Sequence, residues 1–482
     1  MVMSYCIILL EVATDEVQMR VEVKEITTEL TSFDIFSLFK DEKDIIFLDS
    51  SKDSEKLGKH SFIGLNPYKK IIYNQGLTTI NGQMVSGDPF IILKELIEAN
   101  PIQNTHDLPF VAGCMGYLSY DLVRGMEKIP EIAKPIMEMP TMVFVFYHHL
   151  LIFDHHCHKT YLSVFYPDQK EDHEATFNYE KKTTQIMQTI KSGPPVLFGN
   201  TIEEAVTFTS CFDASTYMKA VDKMKDYILN GDIYIANMTH TYTATTQRNA
   251  YDIYKSLRQV NQAPFSAFMN LDDTEILCSS PERFMQIRNN WVETRPIKGT
   301  RPRGKTEEED EANRLALEKS EKDKSELLMV VDLERNDLSK VCRPYTVKVT
   351  ELFGIESYAT VHHLVATIVG KLKQDMTAVD CIRACFPGGS ITGTPKIRAM
   401  EIIEELEPTR RHLYTGCIGY FGFDGSADFN IVIRTIIKQK ERIAIGVGGG
   451  ITWESDPEAE YEETLDKAMA LFKAVRLKEV DV

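Results

Sequence analysis

The 482 residues contain no run of the roughly 18 consecutive apolar residues that a membrane helix needs. The first stretch, "MVMSYCIILLEVATDE", has a short apolar run but no basic segment before it and no small-residue cleavage pattern after it. These absences predict a soluble, cytoplasmic protein. Cysteine is sparse and scattered: nine residues, no CxxC, and Cys381 and Cys385 as the closest pair. Neither a disulfide framework nor a zinc site is expected. Positive charge is also short, with 54 Lys and Arg against 71 Asp and Glu, a net charge of -17, so a nucleic-acid surface is not expected. Neither GxxxxGK[ST] nor GxGxxG occurs, which leaves a nucleotide site without its usual support. No internal repeat or low-complexity segment is present.

What is present is 43% hydrophobic residues, enough for a large core. From residue 44 to 165, strings such as "DIIFLDSS", "HSFIGLNPYKKIIY" and "TMVFVFYHHLLIFDHH" alternate or run apolar between turn residues, and this part reads as sheet. Residues 167 to 210 are polar and read as a helix followed by a linking loop. At Asp213 the texture changes to a capped helix with apolar spacing at Met218, Val221, Met224, Tyr227 and Ile228, stopped by Asn230-Gly231. The strand "EILCSS" then runs into Pro281, and Thr306-x-x-Glu309 reads as a capping box. Helices and strands interleave from there to the end.

Several residues carry chemistry that their spacing leaves open. "RPIKGTRPRG", residues 295 to 304, sets Lys298 in a turn stiffened by Pro296 and Pro302. Nearby cations such as Arg295, Arg301 and Arg303, if they point inward, would help a lysine lose its proton and act as a nucleophile; a solvated basic turn is the alternative. In "LCSSPERF", Glu282 follows a strand and a proline, where it aims into a cleft or pairs with Arg283 or Arg295. The helix "KSELLMVVDLERNDL" is apolar almost all round from Leu327 to Leu333, which predicts a buried helix opened by Glu326, a carboxylate in need of a cation or hydrogen bonds. A second helix, capped by Asp456 with Pro457 at its first position, gathers Glu460, Glu463 and Lys467 on one face and Tyr461, Leu465, Ala468 and Phe472 on another. Glu463 and Lys467 form either an ordinary solvated pair or, with Glu326, part of a magnesium site. Two glycine-rich stretches, "FPGGSITGTPK" and "GVGGG", offer bare N–H groups to a carboxylate or phosphate, and Arg434 lies in the apolar run "NIVIRTI", where it needs an anion.

Together these strings have a pattern. "GDIYIANMT", "LCSSPERF", "RPIKGTRPRG", "MVVDLERNDLSKVC", "VHHLVATIVGKL", "CFPGGSITGTPK", "YTGCIGYF", "NIVIRT" and "GVGGGITWESDPEAEYEETLDKA" follow in that order and resemble the chorismate-utilising enzymes. The match is strongest from about residue 213 to 472 and extends more weakly through "FLDSS", "HSFIGLNP" and "GYLSYD". The resemblance implies an α+β fold of two antiparallel sheets packed face to face, with helices outside and the site between them. It implies one large chorismate-binding domain over 1–482, with a β-rich part at 1–165 and a catalytic part at 211–476.

It further implies magnesium as cofactor, held by Glu326 and Glu463 with Glu460 in support, and Glu282 as the acid that protonates the departing hydroxyl of chorismate. Thr392, Tyr414, Arg434, Lys467 and Gly448, Gly449 and Gly450 would bind the substrate, with His363 near the ring. Anthranilate-forming relatives carry alanine in "PIAGT" where this chain has Lys298 in "PIKGT". The lysine form resembles the branch that makes 4-amino-4-deoxychorismate, where the lysine amine adds to ring carbon 2 and ammonia then adds to carbon 4. Ile235 stands where relatives have glutamine, or lysine in the water-using branch, and isoleucine cannot activate water. Ammonia would come from a separate glutaminase subunit, because no GxCxG nucleophile elbow occurs here. Ser50, Pro264 and Phe265 match the family's tryptophan pocket.

Overall fold

The computed structural model describes residues 19–51, 57–167, 173–193, 199–203, 205–358 and 361–481. The N-terminal apolar run and the linking loop expected around 194–198 lie outside them. Every strand pairing among the described residues is antiparallel, from the 15-residue strand His60–Asn74 against Met142–Asp154 to Ile235–Thr245 against Arg442–Ile451. This is the expected α+β class, with helices packed around antiparallel sheet. The ladders also join into one closed circuit, so the sheet layers are hydrogen-bonded to each other as well as packed. Ile46–Asp49 pairs with Phe265–Leu271 and Gly113–Leu118 with Cys417–Gly422, tying the first 165 residues to the later ones. Among the described residues no helix is long and apolar enough to cross a membrane.

The polar stretch after residue 167 contains the helix His173–Ser192, as expected, and then Gly199–Glu203 pairs with the C-terminal strand Leu477–Asp481. The helix Ala214–Leu229 is capped by Asp213 and ends at Asn230, with Gly231 at φ +81, a left-handed conformation that glycine adopts without strain. Its buried side includes Tyr217, Val221 and Met224. Pro89–Glu98 is helical within the part read as sheet, capped by Asp88 with Pro89 at its first position. Of the capping box at Thr306, one half forms: Thr306 accepts from the Glu309 N–H, while the Glu309 carboxylate accepts from Lys305. The helix Glu321–Val341 buries Leu327, Val330, Val331 and Leu333, but Leu328 is 45% exposed, so it is two-faced and not apolar all round. One face packs on sheet and the other looks outward, which is how Glu326 reaches a cleft.

Candidate active site

A cavity of about 530 Å³ opens where the ends of several strands meet the helices Glu321–Val341 and Pro457–Arg476. "RPIKGTRPRG" is mostly a strand, Ile297–Pro302, and not the turn its prolines suggested. It pairs with Val361–Lys371, and the register slips between Lys298 and Thr300. Gly299 sits in that bulge at φ +76, and a Cβ there would lie 2.8 Å from Asp323 Cγ and from Leu317 Cδ1. Only glycine fits both the conformation and the space, and the bulge re-aims the neighbouring side chains. Lys298 points into the cavity, its Nζ 3.3 Å from the Ser390 carbonyl.

The three arginines of that stretch do not supply the cations expected beside Lys298. Arg295 pairs with Glu356 at 2.8 Å and Glu351 at 3.1 Å, Arg301 with Asp323 at 2.9 Å, and Arg303 with Asp310 at 2.6 Å. Each is neutralised by an acid, and the charges that face Lys298 are the carboxylates of Glu282, Glu326 and Glu463.

Glu282 is 6% exposed, one residue beyond the proline that ends Thr274–Ser280. Burial pushes its carboxyl above the ordinary range, against the Ser390 hydroxyl, the Lys298 ammonium and the Ile297 N–H, which favour the charged form. It does not form the pairs that its neighbours suggested: Arg283 goes to Asp428 and Glu293, and Arg295 elsewhere. Ser390 thus touches both groups, by its hydroxyl to Glu282 and its carbonyl to Lys298.

The strand Arg442–Ile451 brings Gly448, Gly449 and Gly450 to the floor. A Cβ on Gly449 would lie 3.2 Å from Glu460 Oε2, 3.6 Å from Lys467 Nζ and 3.7 Å from Glu463 Oε1, so three charged heads meet over that bare backbone. Lys467 pairs with Glu463 at 2.5 Å and donates to the Gly448 carbonyl at 2.9 Å. Glu460 accepts from Ser455 at 2.7 Å, and Lys322 stands 3.8 Å from Glu460 and 3.9 Å from Glu326. Burial raises Glu326 and Glu460; the charges of Asp323 and Glu460 add to the shift of Glu326, and that of Glu463 to the shift of Glu460. Burial works the same way on Glu463, but Lys467 overrides it and holds that carboxyl low.

Arg434 lines the cavity at φ +53, and its guanidinium donates to the Lys467 carbonyl at 2.7 Å. It makes no ion pair with a carboxylate among the described residues. Burial lowers its proton affinity, opposed by Tyr414 and Glu463, yet a guanidinium stays charged. Tyr414 lies against the strand at Gly446, where a Cβ would be 2.3 Å from its ring. His363 lines the same cavity and shares a 2.9 Å hydrogen bond with Thr300. Thr392 is the exception among the expected residues: it is buried behind the lining, its hydroxyl donating to the Gly388 carbonyl at 2.9 Å. Ile235 packs beside the amine, since a Cβ on Gly450 would lie 3.4 Å from its Cδ1 and 3.3 Å from Lys298 Nζ.

Ser50, Pro264 and Phe265 line a separate cavity of about 90 Å³, with the Ser50 hydroxyl 2.9 Å from the Pro264 carbonyl. Two residues of the main site were missed in the sequence. Ser390 was hidden in "FPGGSITGTPK", read there only for its glycines, and Lys322 was betrayed only by its four-residue spacing from Glu326.

An acidic cavity with a guanidinium that pairs with no carboxylate among the described residues, walled by antiparallel strands, defines an enzyme site for a small anionic substrate. The family model for chorismate binding enzymes matches residues 43–473. The chain is 37% identical over 434 residues to aminodeoxychorismate synthase component 1 of Bacillus subtilis, covering 89% of this chain and 91% of that one. It is 35% identical to anthranilate synthase component 1 of Acetivibrio thermocellus over 464 residues, 92% of each. The crystal structure of anthranilate synthase component I from Streptococcus pneumoniae superposes with a TM-score of 0.77 at 30% identity, covering 87% of this chain and 93% of that one. The chain belongs to the chorismate-binding enzymes.

Proposed function

We propose that this chain aminates chorismate to 4-amino-4-deoxychorismate through a covalent bond to Lys298. The observation that carries the reading is the amine itself, inside the cavity and next to the buried acid Glu282. Relatives of the aminodeoxychorismate and anthranilate kinds match at nearly equal identity, so overall similarity does not separate the two. Lysine at 298 is the feature that favours the first.

The charges around Lys298 supply a route for its proton. Glu282 in its carboxylate form takes one proton from the ammonium, which frees the amine and charges the acid for the next step. The amine adds to ring carbon 2, both ring double bonds shift, and the bond from carbon 4 to its hydroxyl breaks. Glu282 returns the proton to that oxygen, which leaves as water. Ammonia then adds at carbon 4 and the bond between carbon 2 and Lys298 breaks, restoring the amine. A covalent step divides one hard substitution into two easier ones. Arg434, Tyr414 and the N–H groups near Gly448 bind the substrate carboxylates, and Ile235 keeps a polar group that could activate water away from the amine.

The donors suit magnesium. Glu460 and Glu463 offer hard oxygens over the bare backbone at Gly449, Glu326 lines the same cavity, and the burial and like charge that raise Glu326 and Glu460 would be offset by a cation. Magnesium is commonly held by one or two carboxylates with water and substrate oxygens. Bound there, it would orient the substrate and offset its charge. The curated relatives are named as component 1, in keeping with a separate glutaminase subunit that supplies ammonia.

Purified chain incubated with chorismate, magnesium and ammonium at alkaline pH tests the reading. Aminodeoxychorismate is the expected product, and anthranilate with pyruvate would overturn it in favour of the other branch.

A further inference from the structure

Glu334 lies on the helix Glu321–Val341, buried and outside the lining of the cavity, so the reaction as described does not use it. It packs against Gly389, where a Cβ would come 3.4 Å from Glu334 Cγ, while the next residue, Ser390, touches Glu282. Its hydrogen-bonding neighbour is Thr294, itself buried at the end of the strand Trp291–Thr294.

The hydrogen count at Thr294 decides which partner donates. The hydroxyl oxygen lies 2.7 Å from the Phe284 carbonyl and 3.0 Å from Glu334 Oε2. A threonine hydroxyl has one proton to give. Phe284 falls in the bulge between Arg283 and Met285 and outside the register with Trp291–Thr294, which begins at Gln286. Phe284 has no register partner in either ladder, and the shorter contact, to its carbonyl, takes the threonine proton. Two acceptor oxygens at 3.0 Å attract only if a hydrogen lies between them, and that hydrogen must then come from Glu334.

We infer that Glu334 is held as a neutral carboxylic acid donating to Thr294, and that by remaining uncharged behind Glu282 it is a positioning residue for the proton donor; this rests on the reading of Glu282 given above.

The surrounding charges agree with the hydrogen count. Burial and then the charge of Glu282 push Glu334 up to about 8, with Asp337 adding to the shift and Lys396 opposing it; Thr294 would oppose it only as a donor, and its one proton goes to the Phe284 carbonyl. Lys396 is occupied with Asp337 and with the carbonyls of Cys385 and Pro387 at 2.9 and 2.8 Å, and Lys340 also pairs with Asp337 at 2.9 Å. Glu282 has a hydroxyl, an N–H and an ammonium favouring its charged form. Neighbouring carboxyls avoid ionising together, so Glu282 exchanges the proton and Glu334 keeps its own. Ionised Glu334 would make Glu282 hold its proton more tightly and donate it less readily.

The test compares Glu334→Gln, whose amide can still donate to Thr294, with wild type under the same chorismate, magnesium and ammonium at each pH, so that the titration of ammonia cancels. The ratio of variant to wild-type chorismate consumption is expected to rise about tenfold between pH 7 and pH 9, as a group near 8 ionises in wild type only. A flat ratio overturns the positioning role. Should Glu334→Gln not fold, Glu334→Met, also uncharged, takes its place with the same expectation. Infrared difference spectra check the proton without turnover: a protonated carboxyl band that bleaches through about pH 8 in wild type, bleaches at lower pH in Glu282→Gln because the Glu282 charge is gone, and is missing from the Glu334 variant. A band that survives the Glu334 substitution overturns the inference. Wild type that consumes no chorismate would instead remove the reading of Glu282, and the infrared result would still decide the proton.

Discussion

Gly450→Ala is the sharpest structural perturbation of this site. Gly450 has no positive φ, and the Cβ it would gain meets only side chains, Lys298 Nζ at 3.3 Å and Ile235 Cδ1 at 3.4 Å. Comfortable contacts between heavy atoms lie at about 3.5–4.0 Å, so the amine must retreat by a few tenths of an ångström and then approach the ring past a methyl group. Misplacement of a reacting group by about 1 Å costs about a hundredfold, and a loss of tenfold to a hundredfold in kcat/KM is expected here. Stability should hardly change, because alanine in a strand recovers about 0.5–1 kcal/mol of backbone entropy against the tight contact. Gly448→Ala is the control: its Cβ would lie 2.4 Å from the Met238 carbonyl, a backbone atom that cannot step aside, and overpacking of that kind costs about 1–3 kcal/mol. Steady-state kinetics and thermal melts of both variants separate the cases. Wild-type kcat/KM in Gly450→Ala, or a melt as depressed as that of Gly448→Ala, would refute the geometry.

Arg434→Met removes a cation that no carboxylate among the described residues pairs with, and a lost hydrogen bond to a charged ligand costs about 1.5–3 kcal/mol, so KM for chorismate should rise tenfold or more without a lower melting temperature. Glu326→Gln should abolish magnesium-dependent turnover and weaken magnesium binding in calorimetry, while the melting temperature of the apo protein rises because a carboxylate that burial disfavours is gone. Glu334 makes stability depend on pH with a fixed sign. Its folded value, about 8, lies above the unfolded carboxylate value, so folding retains a proton that the unfolded chain releases, and stability should fall from about pH 4.5 to about pH 8. Glu334→Gln should flatten that slope in denaturant titrations.

Much of the site was legible because its residues sit in local patterns. The Asp456-Pro457 start fixes the phase of its helix, and that phase alone puts Glu460, Glu463 and Lys467 on one side. Arg434 was singled out as a cation in an apolar run, and it lies in the cavity wall, donating to the Lys467 carbonyl. What was illegible depends on long-range pairing. The arginines near Lys298 were read as its neighbours because they are adjacent in sequence, but strand alternation and the bulge at Gly299 send them to Glu351, Glu356, Asp323 and Asp310. Thr392 was placed at the substrate by resemblance, yet the turn that brings Ser390 to the cavity wall sets Thr392 behind it. The helix Pro89–Glu98 carried a visible Asp-Pro start and was lost in a stretch read for its strands.

The account depends on a bond between Lys298 and the ring. Mass spectrometry of the protein quenched with chorismate and magnesium, without ammonia, measures it directly. An adduct of chorismate less one water on the peptide containing Lys298, absent from Lys298→Ala and discharged by added ammonium, is the predicted result. Unmodified Lys298 together with undiminished aminodeoxychorismate formation by Lys298→Ala would contradict it.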